Sequence, residues 1–312
     1  MIDKLKLFGE VKENINLKDY NTFKLGGDAK YLIDVTSKDS LIELIKYLNS
    51  EKVKYFILGN GSNVVFSDNY YDGVIIKLNK LNNYFIDLEN KILKAEAGVY
   101  IPALVPQIVA SKLKGFEWAA GLPGTIGGSI VSNAGAYNVM IFDLLKSVTI
   151  VDKSGNIKIL NKNDIPHSYR YSWFKDNKNV TILEAEFNLL PGNPDESNAL
   201  ILDRQKRRLE SQPLEYPSAG SIFRNPDEEK VKDKLEKYNL NGPFAGHLIE
   251  ECGFKGKRIG NAEISEKHAN FIVNLGDAKA SDVRDLIIIA HDEVLKRFEI
   301  DLIIEQEFIN WE

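Results

Sequence analysis

Two glycine-rich segments are the part of this sequence best suited to hold a charged ligand. The first, Gly59-Asn60-Gly61-Ser62-Asn63, follows a short apolar run. Glycines let backbone N–H groups turn inward and approach a ligand closely, and a concave row of such donors suits a pyrophosphate. The segment matches neither the Gly-x-Gly-x-x-Gly nor the Walker pattern. A tight turn without a ligand is therefore the alternative for this segment taken alone.

The second segment combines glycines with small and polar residues. Its candidate binding residues are Gly121, Pro123, Gly124, Thr125, Gly127, Gly128, Ser129, Asn133 and Gly135. Each Gly costs a helix about 1 kcal/mol relative to Ala, so another reason for this composition is needed. Small residues leave room where a flat ring or a phosphate touches the backbone, and close packing of two elements is the alternative. Two such segments in one chain favour a large cofactor.

Basic residues are the next candidates for chemistry. Arg170 lies in Tyr169-Arg170-Tyr171-Ser172. Its permanent charge and planar donor fork fit a carboxylate, although a surface cation–aromatic cluster is the alternative. The stretch from Arg204 to Arg208 could bind a diphosphate or form a solvated helix face.

The sequence shows no pattern typical of a metal site or of a serine nucleophile. The four histidines, at 167, 247, 268 and 291, have no zinc-type spacing with one another or with Cys252. No Gly-x-Ser-x-Gly elbow occurs. We therefore expect no metal.

Composition narrows the class of protein. The chain has 312 residues, of which 44% are hydrophobic and 27% charged, as in an ordinary globular protein of about two domains. A net charge of −5 disfavours a nucleic-acid partner. The single cysteine favours a reducing compartment. The first residues lack the apolar core of a signal peptide, and the apolar runs are too short to span a bilayer. We expect a cytoplasmic protein without membrane insertion.

The elements that hold these residues follow from apolar periodicity. Strands are predicted at 31–35, 55–58, 74–78, 92–97, 146–151, 181–190 and 302–309, with a hairpin turn at 153–156. Ser37 predicts the cap of a helix whose apolar positions are Leu41, Leu44, Ile45 and Leu48. Pro191-Gly192-Asn193-Pro194 should continue neither strand nor helix, and a helix is predicted at about 196–210. Ser281 predicts the cap of a last helix with the stripe Val283, Leu286, Ile287, Ala290, Val294 and Phe298.

The order of these segments resembles a known flavoprotein family. The glycine-rich segments look like the FAD-binding segments of the vanillyl-alcohol-oxidase-type fold. More closely, the chain from Asn21-Thr22-Phe23-Lys24-Leu25-Gly26-Gly27 to its terminal strand resembles the UDP-N-acetylenolpyruvoylglucosamine reductases of peptidoglycan synthesis. The short spacing between Arg170 and Ser221 favours the second subtype of that family.

The resemblance implies a fold and a reaction. The fold is α+β: a vanillyl-alcohol-oxidase/PCMH-type FAD-binding fold in two subdomains, plus a C-terminal α+β substrate-binding domain. The implied boundaries are 1–80, 81–195 and 196–312, with the FAD-binding region at about 22–192. The implied reaction is NADPH-dependent, FAD-mediated reduction of UDP-N-acetylglucosamine enolpyruvate to UDP-N-acetylmuramate. Neither His nor Cys occurs in the two glycine-rich segments, which fits FAD bound without a covalent tether.

The resemblance also implies three catalytic residues. Arg170 takes the place of the enolate stabiliser. Ser221, in Pro217-Ser218-Ala219-Gly220-Ser221-Ile222, takes that of the proton donor, with Ser218 as the alternative. Glu305 takes that of the catalytic carboxyl, with Glu307 as the alternative. Gln306 stands where the family usually has an apolar residue.

Binding residues complete the expectations. Cofactor contacts are assigned to the second segment, as given above, and to Gly59, Asn60, Gly61, Ser62 and Asn63. Substrate contacts are assigned to Arg207, Gln212, Arg224, Asn225 and His268, where a structural role for His268 is equally favoured. Residues 227–237 are predicted to form a solvated helical insertion. We expect a nucleotide-sugar substrate and no obligate protein partner.

Two other classes remain open from the sequence. One is a related FAD-dependent sugar or alcohol oxidase, in which oxygen replaces NADPH. The other is a flavin- or nucleotide-binding module without catalysis. The combination of Arg170, Ser221 and Glu305 argues against the oxidase.

Overall fold

The structure, a computed structural model, describes residues 1–311. Within that range the α-helices are α1 (Ile2–Leu5), α2 (Lys38–Ser50), α3 (Ile101–Ala110), α4 (Ile126–Ser132), α5 (Ile141–Leu144), α6 (Pro194–Ser211), α7 (Glu228–Lys237), α8 (Ala245–Glu251) and α9 (Ala280–Phe298). Short 3₁₀ helices lie at Leu17–Tyr20, Glu117–Ala119, Lys162–Asp164 and Trp173–Lys175.

The strands are mostly short. They are β1 (Gly9–Asn16), β2 (Asp28–Val35), β3 (Tyr55–Leu58), β4 (Val64–Phe66), β5 (Tyr71–Lys77), β6 (Tyr84–Asp87), β7 (Ile92–Glu96), β8 (Leu113–Lys114), β9 (Gly135–Ala136), β10 (Val139–Met140), β11 (Leu145–Asp152), β12 (Ile157–Asn161), β13 (His167–Ser168), β14 (Tyr171–Ser172), β15 (Val180–Asn188), β16 (Leu190–Pro191), β17 (Arg258–Ile259), β18 (Ala262–Ile264), β19 (Ile272–Asn274) and β20 (Glu307–Ile309).

The chain divides into two compact units. The first consists of residues 1–15, 29–60 and 72–207, and the second of residues 16–28, 61–71 and 208–311. Residues 61–71 join the second unit because β4 pairs in parallel with β20. The finer partition into 1–80, 81–195 and 196–312 stays a prediction.

Two sheets organise the first unit. One has the strand order β1-β2-β5-β3, with β3 parallel to β5, and the other is antiparallel in the order β12-β11-β15-β7-β6. Helix α2 begins where Ser37 Oγ accepts a hydrogen bond from Ser40 N–H, as predicted. The predicted apolar face of α2 is buried in one core with both sheets. The predicted strands and the turn at 153–156 are present, with ends shifted by a few residues.

The second unit packs helices α7, α8 and α9 around the antiparallel sheet β17-β18-β19. The predicted apolar stripe of α9 is fully buried. The charged segment forms α7, whose Val231 and Leu235 are buried in the same core. The predicted helix is therefore confirmed, but it is only partly solvated, and its being an insertion stays a prediction.

The predicted cap of the last helix was wrong, and the helix predicted at about 196–210 starts two residues earlier. Helix α9 begins one residue before Ser281, and the carboxylate of Asp68 accepts from Ala280 N–H at 2.9 Å and Ser281 N–H at 3.0 Å. Tertiary contact thus supplies a cap that lies far away in sequence. Helix α6 begins at Pro194 itself, because the first turn of a helix needs no N–H at that position.

The predicted terminal strand is shorter than expected, because the chain changes its pairing partner. Arg224 N–H donates to Ile303 O at 2.9 Å, and Glu305 N–H donates to Ile222 O at 2.7 Å. Glu307 then begins β20, beside β4. Only 307–309 of the predicted strand at 302–309 belongs to β20. Pro191, where we predicted a break, pairs with Leu113, so that Leu190 and Pro191 form β16 beside β8.

We predict that Asp68→Ala lowers the free energy of unfolding by about 0.5–2 kcal/mol, since it leaves two N–H groups at the start of α9 without their acceptor. Ser281→Ala is the control and should change it by less than roughly 0.5 kcal/mol. Urea unfolding of both variants measures the difference. If Ser281→Ala lowers the free energy of unfolding more than Asp68→Ala does, Ser281 is the cap of α9.

Candidate active site

The two glycine-rich segments meet in the first unit. Asn60 Nδ2 donates to Pro123 O at 2.9 Å, and a Cβ added to Gly59 would lie 2.6 Å from Thr125 Oγ1. The Thr125 side chain can approach the backbone of Gly59 this closely because residue 59 has no side chain. The sequence alone left the spatial relation of these segments open, and the fold places them together.

A buried lysine that the sequence analysis missed supports the first segment. Lys77, on β5, is only 9% exposed and donates from Nζ to Gly59 O at 3.2 Å. Burial lowers the pKa of Lys77. The available signal was a charged residue inside the apolar strand predicted at 74–78.

The second segment contains glycines of two kinds. A Cβ at Gly127 would lie 3.0 Å from the Cβ of Ala97, so Gly127 serves close packing. Gly128 is exposed, and a Cβ there would meet Thr125 Oγ1 at an ordinary 3.5 Å. Thr125 caps α4 by accepting from Gly128 N–H. Gly121 is also exposed, so the segment has solvent-exposed backbone next to buried residues.

Arg170 lies against this second segment. Its Nη2 donates to Gly135 O at 2.6 Å, and its guanidinium lies 5.0 Å from the centre of the Tyr169 ring. Asn133 Nδ2 donates to Ser168 O at 2.7 Å, which ties the Arg170 turn to the same segment. Arg170 has φ +55°, an uncommon conformation for a residue with a side chain. The turn therefore holds the arginine in one defined position.

The rest of the first glycine-rich segment belongs to the second unit. Gly61 has φ +67°, and a Cβ there would lie 2.6 Å from Tyr20 O. Asn63 Nδ2 donates to Glu305 O at 3.4 Å, and Glu307 N–H donates to Asn63 O at 2.9 Å. Gly61 to Asn63 are thus held next to the terminal segment that carries both candidate carboxyl groups.

Ser221 and Glu305 come together in the second unit. Ser221 forms an isolated bridge with Phe271 and precedes Ile222, whose carbonyl accepts from Glu305 N–H. Asn270 fixes this segment through Phe223, since its Oδ1 accepts from Phe223 N–H and its Nδ2 donates to Phe223 O. Asn270 was not among the predicted site residues, although it lies two positions after His268.

Two of the predicted substrate residues lie next to this segment. Arg224 is half-buried, and within residues 1–311 its Nε has no hydrogen-bond partner. Asn225 Oδ1 accepts from Ala245 N–H at 3.1 Å, at the start of α8. Arg224 therefore keeps a donor for which the described protein supplies no acceptor, and Asn225 has a structural contact.

The other three predicted substrate residues have partners of their own. Arg207, in the first unit, is exposed on α6 and pairs with Asp203 at 2.8 Å. Gln212 Oε1 accepts from Arg208 Nε at 3.2 Å. Burial lowers the pKa of His268, and its Nδ1 accepts from Asn270 N–H at 3.2 Å. That contact gives the histidine a structural role and leaves a nucleotide contact open.

Among residues 1–311, no helix has the length and apolarity to cross a bilayer. In the same range, no three His, Cys, Asp or Glu residues are grouped as a metal ion would require.

Comparisons with known families agree with this architecture. A family model described as an FAD-binding domain matches residues 29–161, and one described as the C-terminal domain of UDP-N-acetylenolpyruvoylglucosamine reductase matches residues 212–309. The fold and the paired glycine-rich segments thus define a flavoprotein with an FAD-binding domain.

Similarity to whole proteins narrows that class. The chain is 42% identical over 306 residues to UDP-N-acetylenolpyruvoylglucosamine reductase of Caldicellulosiruptor saccharolyticus, covering 97% of this chain and 93% of the relative. It is 39% identical to the enzyme of the same name from Caldanaerobacter subterraneus, covering 99% and 98%. The chain belongs to the UDP-N-acetylenolpyruvoylglucosamine reductase family.

Solved structures give the same result. The crystal structure of the reductase from Thermus caldophilus matches with a TM-score of 0.77 and 29% identity, covering 96% of this chain and 99% of that one. A glucose-oxidase variant of Phl p 4 matches with a TM-score of 0.50 and 12% identity, covering 68% and 50%. The second match shows a shared fold alone.

The residues present fit FAD. Gly121 and Gly128 have solvent-exposed backbone in the second segment. Gly59 permits the close approach of the first segment to Thr125. Lys77 and Arg170 bring basic side chains to the two segments. Backbone donors and positive charge are what a pyrophosphate requires.

We predict opposite outcomes for two neighbouring glycines. Gly128→Ala should leave the apoprotein as stable as the parent or up to about 1 kcal/mol more stable. It should still weaken FAD binding about tenfold or more, because the added methyl occupies the ligand's place, a loss of about 1.4 kcal/mol. Thermal unfolding and flavin titration measure the two effects.

The matched control is Gly127→Ala. Its methyl would press on Ala97, so the apoprotein should lose about 1–3 kcal/mol of stability. If FAD binds Gly128→Ala as tightly as the parent protein, Gly128 does not contact the cofactor.

Proposed function

We propose that this protein catalyses the NADPH-dependent, FAD-mediated reduction of UDP-N-acetylglucosamine enolpyruvate to UDP-N-acetylmuramate in peptidoglycan synthesis. Its family membership supports the reaction class. The observation that carries the proposal is the hydrogen bond from Glu305 N–H to Ile222 O, since it brings a carboxyl-bearing residue next to Ser221. A binding module would not require the backbone of Glu305 to lie beside the segment of Ser221.

Arg170 is the proposed stabiliser of negative charge. The chemistry supplied by bound FAD is transfer of a hydride from NADPH to the vinyl carbon of the substrate. Negative charge then spreads from the neighbouring carbon into the substrate carboxylate as an enolate. Arg170 suits this charge, because guanidinium stays protonated and donates in a planar fork. Its hydrogen bond to Gly135 and its left-handed backbone orient it before substrate binds.

Ser221 is the proposed proton donor, and Glu305 the proposed catalytic carboxyl. A serine hydroxyl is a weak acid, so it must be held close to the carbon that it protonates. The bridge to Phe271 and the Asn270 contacts hold the segment of Ser221 in one conformation. Glu307 remains the alternative carboxyl, because it lies two residues further along the same terminal segment.

Substrate recognition is proposed for Arg224, Asn225, Arg207, Gln212 and His268. Arg224 has the best support, because its buried Nε lacks a partner among residues 1–311 and a diphosphate would offer the guanidinium acceptors. A neutral His268 could donate to the nucleotide through Nε2 while Nδ1 accepts from Asn270.

The setting of the reaction is part of the proposal. FAD is bound without a covalent tether, which the absence of His and Cys from both glycine-rich segments supports. We place the reaction in the cytoplasm, with neither a nucleic acid nor an obligate protein as partner and without membrane insertion or a metal. The single cysteine and the net charge of −5 support this setting.

The deciding experiment follows the flavin absorbance of the purified protein. NADPH should bleach the flavin, and UDP-N-acetylglucosamine enolpyruvate should restore the colour much faster than air does. Fast recovery in air together with no response to the nucleotide would instead identify an oxidase. If NADPH cannot bleach the flavin, the protein is a flavin-binding module without catalysis.

We predict that Ser221→Ala leaves bleaching by NADPH nearly unchanged and slows recovery with the enolpyruvyl nucleotide. Proton donation matters only after the hydride has reached the substrate, so turnover should fall more than binding weakens. Stopped-flow absorbance separates the two half-reactions. Ser218→Ala is the matched control and should behave like the parent. Equal slowing of both half-reactions would assign Ser221 to positioning of the flavin.

A second pair of variants separates the two carboxyl groups. Glu305→Gln should reduce turnover by a factor on the order of 10²–10⁴ with FAD still bound, as expected for loss of a catalytic acid. Glu307→Gln should change stability by less than roughly 0.5 kcal/mol and turnover little. Steady-state kinetics of both variants show which of the two carboxyl groups is catalytic. The reverse pattern would move the role to Glu307, and two mild effects would remove it from the terminal segment.

A further inference from the structure

We propose that Gln306 is a positioning residue that holds the peptide groups on both sides of Gly220 and thereby orients Ser221. The inference rests on the proposed role of Ser221 as proton donor. Gln306 lies in the terminal segment, between the two candidate carboxyl residues.

The side chain of Gln306 is buried at the Ser221 segment. It is only 6% exposed. Its Nε2 donates to Ala219 O and to Gly220 O, each at 3.3 Å. One carboxamide therefore contacts two consecutive carbonyl groups just before Ser221.

Gly220 is the flexible point of this turn. It has φ +74°, and nothing lies within 4 Å of the position that a Cβ would take. Glycine is thus required there by the backbone conformation and not by lack of space. Glycine adopts positive and negative φ about equally readily, so the residue by itself does not hold the turn. The turn is held by hydrogen bonds donated to the carbonyl groups of Ala219 and Gly220, which lie on both sides of the dihedral angles of Gly220.

The backbone of Gln306 is fixed from both sides. Glu305 N–H donates to Ile222 O at 2.7 Å, and Glu307 N–H donates to Asn63 O at 2.9 Å. Because hydrogen bonds hold the residues on both sides of Gln306, its side chain extends to Gly220 from a fixed backbone position. The two donors can therefore act as a rigid clamp.

The other end of the carboxamide shows that stability alone does not explain the residue. Gln306 Oε1 is buried, and among residues 1–311 it has no hydrogen-bond partner. A buried acceptor without a partner costs free energy, which an apolar side chain of the same size would avoid. The two donated hydrogen bonds are the feature that an apolar side chain could not reproduce.

The test is Gln306→Met, which keeps the approximate volume and removes both donors. Bleaching of the flavin by NADPH should stay within about twofold of the parent rate. Recovery with the enolpyruvyl nucleotide should slow roughly 10- to 100-fold, as expected when a reacting group is misplaced. In the apoprotein, amide hydrogen exchange over residues 217–224 should become faster.

Gln306→Glu supplies a second readout. A carboxylate cannot donate to the two carbonyls, whereas a protonated carboxyl can donate to one of them. The recovery rate of this variant, relative to the parent at the same pH, should therefore rise as the pH falls. A purely structural effect of the substitution would not produce this profile.

Thr181→Val is the matched control. Thr181 is also buried, at 7% exposed, and lies on β15 of the first unit. Its replacement should shift thermal stability without separating the half-reactions.

Equal slowing of both half-reactions in Gln306→Met, or unchanged kinetics and unchanged exchange, would overturn the inference. If the parent protein itself is not reoxidised by the nucleotide, the proposed function fails. Hydrogen exchange in the apoprotein then decides alone whether Gln306 holds the Gly220 turn.

Discussion

The close approach of the Thr125 side chain to the backbone of Gly59 is the constraint on which the FAD-binding unit depends. The first glycine-rich segment reaches Thr125 because residue 59 carries no side chain, and Asn60 and Lys77 then hold the segment from two directions. Thr125 in turn caps α4, whose glycines divide between packing at Gly127 and open backbone at Gly128. The same second segment receives Arg170 through Gly135. The glycine-rich segments and Arg170, the proposed stabiliser of negative charge, therefore belong to one network of contacts.

The pairing of the terminal segment organises the second unit. The end of the chain pairs first with the segment of Ile222 and then with β4. This change of partner places the backbone of Glu305 beside Ile222, the residue after Ser221, and ties the backbones of Glu305 and Glu307 to Asn63. Each pairing involves only a few residues, so the position of the terminal segment depends on a handful of hydrogen bonds. Side-chain amides, at Asn270 and Gln306, supplement those bonds.

Buried polar groups mark both parts of the candidate site. Lys77 is the buried last residue of β5, directly after Val74, Ile75 and Ile76, and Gln306 is buried in the second unit. Polar groups in such places are costly unless they form hydrogen bonds. Both donate to backbone carbonyls next to glycines, at Gly59 and at Gly220. The polar side chains thus restrict the residues whose backbones are most free to move.

The sequence by itself determined the local elements and the residue types of the site. Periodic apolar residues predicted α2 and the stripe of α9, and the glycine-rich segments predicted a large cofactor, because these patterns depend only on neighbours along the chain. The resemblance to the reductase family then implied FAD, which the FAD-binding family model supports. Tertiary structure decided the rest. The Asp68 cap, the Gly59–Thr125 approach, the shortened last strand and the roles of Lys77, Asn270 and Gln306 all join residues distant in sequence. No local pattern encodes such contacts, because each forms only when packing brings two separate segments within hydrogen-bonding distance.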